Sequence, residues 1–277
     1  MATPDLTSCE LPGALGPIRV DVRAAGRGGA RPAVVAVHGF KGFKDWGFFP
    51  PAAERLARAG FTAVTFDLSG SGVEHGEFTQ PGRFARNTYR AESADLAAVL
   101  DALGRGELGV APPPAVGLLG HSRGGAAVLA QAGRPEVRAL VTWAAIASVI
   151  RWDEATRARW RADGRLDIVN ARTGQVLPLG LEVLDEIERE GGGALDLARL
   201  AEAVAVPWLI VHGTDDESVS FLDAELLAEA SDRESTTLLA VEGAGHTFGV
   251  VHPWQGPTPM FDRVLADTVA WFAARLA

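Results

Sequence analysis

The chain's 277 residues, 47% hydrophobic and 22% charged, suit one large globular domain, or one domain carrying an insertion, with a sizeable core. A formal charge of −9, with no basic stretch to offset it, argues against a nucleic-acid partner or an anionic membrane surface. The single cysteine, Cys9, excludes an intrachain disulfide framework, and neither an apolar run near about 18 residues nor a signal-peptide pattern is present, so the cytoplasm is the expected compartment.

In chain order, short apolar, β-branched runs alternate with helical patterns. "IRVDVRA" from Ile18 and "PAVVAVHG" from Pro32 read as strands around the Gly-rich turn "GRGGARP". "PPAAERLARAG" reads as a helix, with Pro near its start and Gly60 as its stop. "FTAVTFDLSG" follows as a strand, and "YRAESADLAAVLDALG" as an amphipathic helix ending at Gly104. "AVGLLG" is a buried strand that runs through "HSRGG" into the small-residue helix "AAVLAQAG". Beyond it, "VRALVTWAAI", "PWLIVHG" and "STTLLAVEG" read as strands, and "ESVSFLDAELLAEAS" and "MFDRVLADTVAWFAARLA" as helices. This alternation predicts an α/β fold with a mostly parallel central sheet flanked by helices and a ligand site at the strands' carboxyl ends.

One connection breaks the rhythm. From Ala147 to Ala205 the chain is far longer than the roughly dozen residues that a crossover helix needs. It holds a charged helical stretch "WDEATRARWRADG", a hairpin-like "RLDIVNARTGQVLPL" and a second helix "GLEVLDEIEREGG". A segment with its own elements is a cap. The expected division is therefore a core of residues 1–146 and 206–277 and an inserted cap over 147–205 that folds above the sheet's carboxyl edge.

Chemistry enters at "GLLGHSRGGAA". Gly120-x-Ser122-x-Gly124 has the spacing of a nucleophile elbow, and a strand before it and a helix after it are the context that spacing requires. A serine hydroxyl needs a base, and the base an acid that fixes its tautomer. His246, in the Gly-rich loop "VEGAGHTF" after a strand, belongs at the same carboxyl edge as Ser122, whereas His252, before Pro253, reads as a neighbour of the site. The acid is Asp216 or Asp215 in "VHGTDDESV". The His-Gly-x-x-Asp-x-x-Val spacing favours Asp216 and leaves Asp215 as a turn or capping residue. A developing oxyanion needs backbone N–H donors, which Arg123, next after the nucleophile, and Phe40, in "AVHGFKG", can supply, with Gly39 allowing close approach. Trp46, Trp152, Trp160 and Gln175 are candidates for the substrate pocket. Trp143, Phe40 and Phe43 could also line an aromatic-accepting pocket or simply pack the core, and Asn170 could meet a ring hydroxyl. Only two of the 26 basic residues are lysines, Lys41 and Lys44, and both lie in "HGFKGFKDW". Either arginine is simply favoured throughout, or a compact ammonium is wanted beside this loop.

The elbow, "HGF", "HGTDDESV" and "GAGHTF", in this order and together with "FDLSGSG", resemble the α/β-hydrolase superfamily over nearly the whole chain. "HGFKGFKDW", "FDLSGSGVEHGEF" and the hairpin-bearing insertion are similar to the capped bacterial esterases related to cinnamoyl (feruloyl) esterases, with a wider similarity to serine-aminopeptidase-like and dienelactone-hydrolase-like groups. The resemblance implies a Ser122–His246–Asp216 triad, Phe40 and Arg123 as oxyanion donors, and hydrolysis of small-molecule carboxylic esters with neither cofactor nor metal. The chain departs from the pattern at Leu68 and Ser69, where a basic residue and its neighbour are common, and at Arg123, where Met or a small residue is. Thioester or small-amide cleavage on the same triad, or ligand binding without catalysis, are the alternatives.

Overall fold

Five apolar runs are buried along all or nearly all of their length, as strands covered on both faces by helices must be. The computed structural model describes residues 4–26, 29–170 and 173–276, so the middle of the "GRGGARP" turn and the tip of the "RLDIVNARTGQVLPL" hairpin lie outside the described residues. Strands β1 (Asp5–Pro12), β2 (Pro17–Ala24) and β3 (Ala33–Val37) lead to helix α1 (Phe49–Arg58) and β4 (Thr62–Phe66). A two-residue-stranded hairpin, β5 (Val73–Glu74) and β6 (Glu77–Phe78), precedes α2 (Pro81–Ala85) and α3 (Tyr89–Gly104). Next come β7 (Val116–His121), α4 (Gly124–Gln131) and β8 (Val137–Trp143). The long connection holds α5 (Glu154–Asp163), β9 (Arg165–Val169), β10 (Val176–Gly180), α6 (Leu181–Glu190) and α7 (Leu197–Glu202). The chain then runs through β11 (Trp208–Gly213), α8 (Phe221–Ala230), β12 (Thr236–Val241) and α9 (Pro259–Leu276).

Eight strands form one sheet in the order β1-β2-β4-β3-β7-β8-β11-β12. From β4 to β12 every pair is parallel, while β1 and β2 join antiparallel at one edge. Side chains alternate across each strand, and this alternation builds two separate apolar layers. Val35, Val37, Leu118 and Ile210 face the layer that holds α3, α4 and α8, and Val34, Ala36, Leu119 and Val211 face α1 and α9. β1 was not foreseen: "DLTSCELP" packs only Cys9 and Leu11 against the core and exists as a strand because it pairs residue for residue with β2.

The inserted segment shares the first of these layers. Trp160, Leu177, Leu179, Val183, Leu184 and Ile187 are buried in the same cluster as the α3 and α4 residues. α6 is tied to α3 by a carboxylate at a helix start: Glu186, itself buried, accepts the backbone N–H groups of Tyr89 (2.6 Å) and Arg90 (3.0 Å). At the segment's start, Asp223 of α8 accepts the Ala147 N–H (2.7 Å) and an Arg151 N–H (2.8 Å). α7 lies within the expected 147–205 segment, yet it packs on α4 and α8 as a crossover helix of the main sheet. Its start is capped by Asp196, which accepts the N–H groups of Ala198 and Arg199.

Candidate active site

β7 ends at His121 and α4 begins at Gly124, so Ser122 and Arg123 make the whole turn between them. Ser122 has a φ of +55°, in the left-handed region that residues with a side chain seldom adopt. Its N–H is held by the Trp143 carbonyl at 2.9 Å, at the end of the neighbouring strand β8. A Cβ on Gly124 would stand 2.5 Å from the Val37 carbonyl oxygen, so only glycine lets α4 start this close to β3. The turn lifts Ser122 out at the carboxyl edge of the sheet.

The same edge receives Asp216 and His246. A Cβ on Gly213, the last residue of β11, would meet the Ala244 carbonyl oxygen at 2.1 Å. Glycine there brings the loop after β11 against the loop after β12. His246 Nδ1–H donates to Asp216 Oδ2 at 2.8 Å, which leaves Nε2 as the nitrogen for Ser122. The other carboxylate oxygen of Asp216 accepts the N–H groups of Ser218 (2.8 Å) and Val219 (2.9 Å). Buried His212 brings its Nε2–H to within 2.9 Å of the Val219 carbonyl and 3.3 Å of Asp216 Oδ2. Burial works against an ionised Asp216, but the hydrogen bonds from His212, His246 and Val219 outweigh it and hold the carboxyl well below its usual range. Asp215, in contrast, is exposed and takes only the Thr214 hydroxyl, at 3.1 Å.

Among the described residues no hydrogen bond joins Ser122 Oγ to His246, although both line one cavity of about 250 Å³. Such pairs commonly close only when substrate is bound. His121 stiffens the loop of His246 by donating from Nε2 to the His246 carbonyl at 3.1 Å. Burial, then the neighbouring His246, pushes the His121 pKa down to about 3, so the ring stays neutral.

Phe40 lines the cavity, and Arg123 packs against the Phe40 ring from the turn after β7. Arg123 is buried with its guanidinium 5.6 Å from the Phe40 ring centroid and 3.8 Å from that of Tyr89. Its Nε bonds both oxygens of buried Glu92, at 2.9 and 3.0 Å, and Nη2 donates to the Asn87 carbonyl at 2.7 Å. One side chain therefore braces both candidate donor residues. Among the described residues no acceptor takes the N–H of Phe40 or of Arg123.

The loop that carries Phe40 is clamped from behind. The Leu68 N–H donates to His38 Nε2 (3.1 Å), so Nδ1 carries the proton and donates to the Gly39 carbonyl (2.9 Å). Burial pushes the His38 pKa down to about 4. The Lys44 N–H donates to Asp67 at 2.7 Å, and its ammonium pairs with Asp21 (2.9 Å) and Asp45 (2.7 Å). Burial raises the Asp67 pKa to about 6 despite the Lys44 amide. The folded chain then keeps a proton between about pH 4 and 6 that the unfolded chain has released, so this group's contribution to stability falls as pH rises through that window. Asn at position 67 retains the acceptor for Lys44 and cannot ionise. Relative to wild type, Asp67→Asn should gain on the order of 3 kcal/mol in unfolding free energy between pH 4 and pH 7. Denaturant unfolding at the two pH values measures it, and a gap that does not change with pH contradicts it.

Trp46 and Phe49 complete an aromatic wall with Phe40. His252 supports that wall from behind, accepting the Gly47 N–H at 3.1 Å and lying 6.1 Å from the Trp46 ring centroid. The other tryptophans read as pocket residues need correction. Trp160 is wholly buried and donates its indole N–H to the Leu179 carbonyl (3.0 Å), and Trp152 packs edge-on against it at 5.2 Å. Neither borders the Ser122 cavity: Trp160 points from α5 into the apolar layer shared with α3 and α4, and Trp152 packs against that layer. Trp143 and Phe43 are buried too. Gln175 borders a neighbouring cavity of about 230 Å³, and Asn170 borders both. A larger cleft, of about 510 Å³, lies beside β1 and β2 near Thr62, at the strands' amino ends and away from Ser122.

His212, Glu92 and Asp67 are among the residues of the site that went unread in the sequence. His212 and Asp67 stood within the quoted strand-end motifs, and their position there was the available signal. Glu92 lies inside a regular helix and gives none. Among the described residues no cluster of three His, Cys, Asp or Glu side chains could hold a metal ion, and no helix is long and apolar enough to cross a membrane.

A family model described as the alpha/beta hydrolase fold matches residues 32–164. No curated protein matches the chain. Among solved structures, an esterase domain from Rhodothermus marinus superposes with a TM-score of 0.67 at 20% identity, covering 99% of this chain and 100% of that one. Est1E from Butyrivibrio proteoclasticus, also solved with ferulic acid bound, gives 0.67 at 15% identity over 99% and 98% of the two chains. A dienelactone hydrolase from Anabaena variabilis gives 0.65 at 19% identity over the whole of both. With its eight-stranded sheet, its serine at the turn between β7 and α4, and these likenesses over full length, the chain has the α/β-hydrolase fold.

Proposed function

We propose that the protein is a serine hydrolase of carboxylic esters. The observation that carries this reading is the 2.8 Å bond from His246 Nδ1 to Asp216, on the same cavity as a serine in left-handed backbone geometry. Ser122 attacks the acyl carbon while His246 Nε2 takes its proton, and Asp216 stabilises the imidazolium that forms. The N–H groups of Phe40 and Arg123 receive the developing oxyanion. His246 returns the proton to the leaving alcohol, water enters by the same base, and the acid departs from Ser122.

The wall of Phe40, Trp46 and Phe49 supports acceptance of an aromatic ester, of the hydroxycinnamoyl type among others, and Asn170 is the contribution of the 147–205 segment to the cavity. The segment acts in this reading as a cap that shapes the site. A fluorophosphonate probe, run beside a panel of p-nitrophenyl and hydroxycinnamoyl esters, tests the reading. Covalent labelling with turnover of at least one ester is the expected result, and a protein that neither labels nor hydrolyses refutes it.

A further inference from the structure

The two lysines of the chain are three residues apart in one loop and are treated differently by the fold. Lys44 is neutralised by two aspartates, at 2.9 and 2.7 Å. Lys41 forms no ion pair among the described residues, and its ammonium lies 5.7 Å from the centroid of the Phe40 ring. It is only partly exposed, and burial lowers its pKa, so a counter-charge would be welcome there. Its backbone also sits in the left-handed region, with φ at +61°, between Gly39 and Gly42. A glycine would hold that geometry without strain, whereas a residue with a side chain does not. A strained residue that could be glycine is commonly one whose side chain has work to do.

Its position says what work. Lys41 borders both the Ser122 cavity and the neighbouring cavity of about 230 Å³, where the segments around β5–β6 and β9–β10 face each other. It directly follows Phe40, so its Cα is about 3.8 Å from that of the proposed oxyanion donor. Among the described residues, the titratable groups on the two cavities are otherwise His121, His246, His252 and the exposed Glu77. On a chain of net charge −9, this ammonium is, among the described residues that line the two cavities, the lysine or arginine charge that an anionic substrate meets beside Ser122.

We propose that Lys41 is a specificity-determining residue, and that the preferred substrates are esters carrying a carboxylate a few bonds from the scissile carbonyl. The inference rests on the ester-hydrolase reading above and adds its substrate class. The carboxylate lies across the junction of the two cavities, on the Lys41 ammonium, while the ester group stands at Ser122. Nothing in the chemistry at Ser122 changes, since the ion pair forms before the reaction and persists through it. Its effect should therefore appear in KM more than in kcat.

The test compares matched pairs that differ in the charge. The p-nitrophenyl monoester of glutaric acid against p-nitrophenyl butyrate places the carboxylate on the acyl side, and 4-acetoxybenzoate against phenyl acetate places it on the alcohol side. In at least one pair the wild type should favour the anion in kcat/KM, the preference should weaken with salt, and Lys41→Gln should lower the anion-to-neutral ratio by roughly tenfold. Lys41→Arg should preserve it. The ratio cancels any general disturbance of the Phe40 loop. Calorimetric titration of wild type and Lys41→Gln with glutarate gives a second readout that needs no turnover: weak binding lost in the variant supports the site. Ratios near one in both pairs, or a ratio that Lys41→Gln leaves unchanged, overturn the proposal while ester hydrolysis itself stands. If no ester is cleaved and the serine probe fails, the hydrolase reading falls, and the glutarate titration still decides whether Lys41 binds a carboxylate.

Discussion

Ser122→Ala should remove ester hydrolysis by a factor on the order of 10⁶ in kcat and abolish labelling by a fluorophosphonate, with the fold unchanged. The fold should survive because the turn is not built by the hydroxyl. It is held by the Ser122 N–H on the Trp143 carbonyl and by the close packing of Gly124 against β3, and alanine keeps the Cβ and the left-handed φ that serine already tolerates. The loss should be nearly complete because, among the described residues, the cavity's other hydroxyl belongs to Thr247, which donates it to the Val250 carbonyl at 2.7 Å. The residue of activity left by the oxyanion donors and binding alone is what the measurement should find. A variant that still labels, with an unchanged thermal midpoint, would place the nucleophile elsewhere.

Much of this was legible in the sequence for physical reasons that differ from place to place. "AVVAV" and "LIVHG" read as strands because a parallel strand buried on both faces is a near-continuous apolar run, and the structure buries every residue of β3 and β11, His212 at the end of β11 included. The elbow was legible because its constraint is steric and local, within five residues. β1 was not, since its reason for being a strand lies in its partner β2. The tryptophans mark the same boundary. Nothing in "WDEATRARW" says whether an indole points at the substrate or into the segment that carries it, and Trp160 turns inward because Leu179 offers its carbonyl there. Arg123 was read for its N–H alone. Its guanidinium matters through Glu92, 31 residues away, a pairing that exists only once α3 lies beside the elbow. The long connection between β8 and β11 was legible from its length, but its packing was not: α7 belongs to the packing of α4 and α8, and the buried side chains of α5, β10 and α6 extend the main apolar layer. Excising the segment would therefore bare part of that layer, and point changes are the better probes of its role.

The two adjacent aspartates should separate by about four orders of magnitude. Asp216 only accepts: His246 Nδ1–H on Oδ2, and the Ser218 and Val219 amides on Oδ1, with His212 Nε2–H 3.3 Å from Oδ2. Asparagine has one acceptor oxygen and one donor NH₂ for those places. If its oxygen stays on the two amides, the NH₂ faces His246 Nδ1, which must then accept, and the imidazole proton moves to Nε2. That tautomer cannot take the proton of Ser122. If the side chain is reversed, the NH₂ is pressed against two backbone N–H groups, and the turn that carries the acid is lost. Either way Asp216→Asn should cost on the order of 10⁴ in kcat on a p-nitrophenyl ester. Labelling by the serine probe should slow with it, because activation of the hydroxyl is the step impaired. Asp215→Asn should stay close to wild type, since the exposed Asp215 side chain takes only the hydroxyl of Thr214, which an amide oxygen can still accept. The comparison is internally controlled, because both variants remove one negative charge from the same loop, so a general electrostatic effect on the site would appear in both. Equal losses would mean that loop charge matters and hydrogen-bond geometry does not. A larger loss at Asp215 would mean that the loop after β11 turns the other carboxylate to His246.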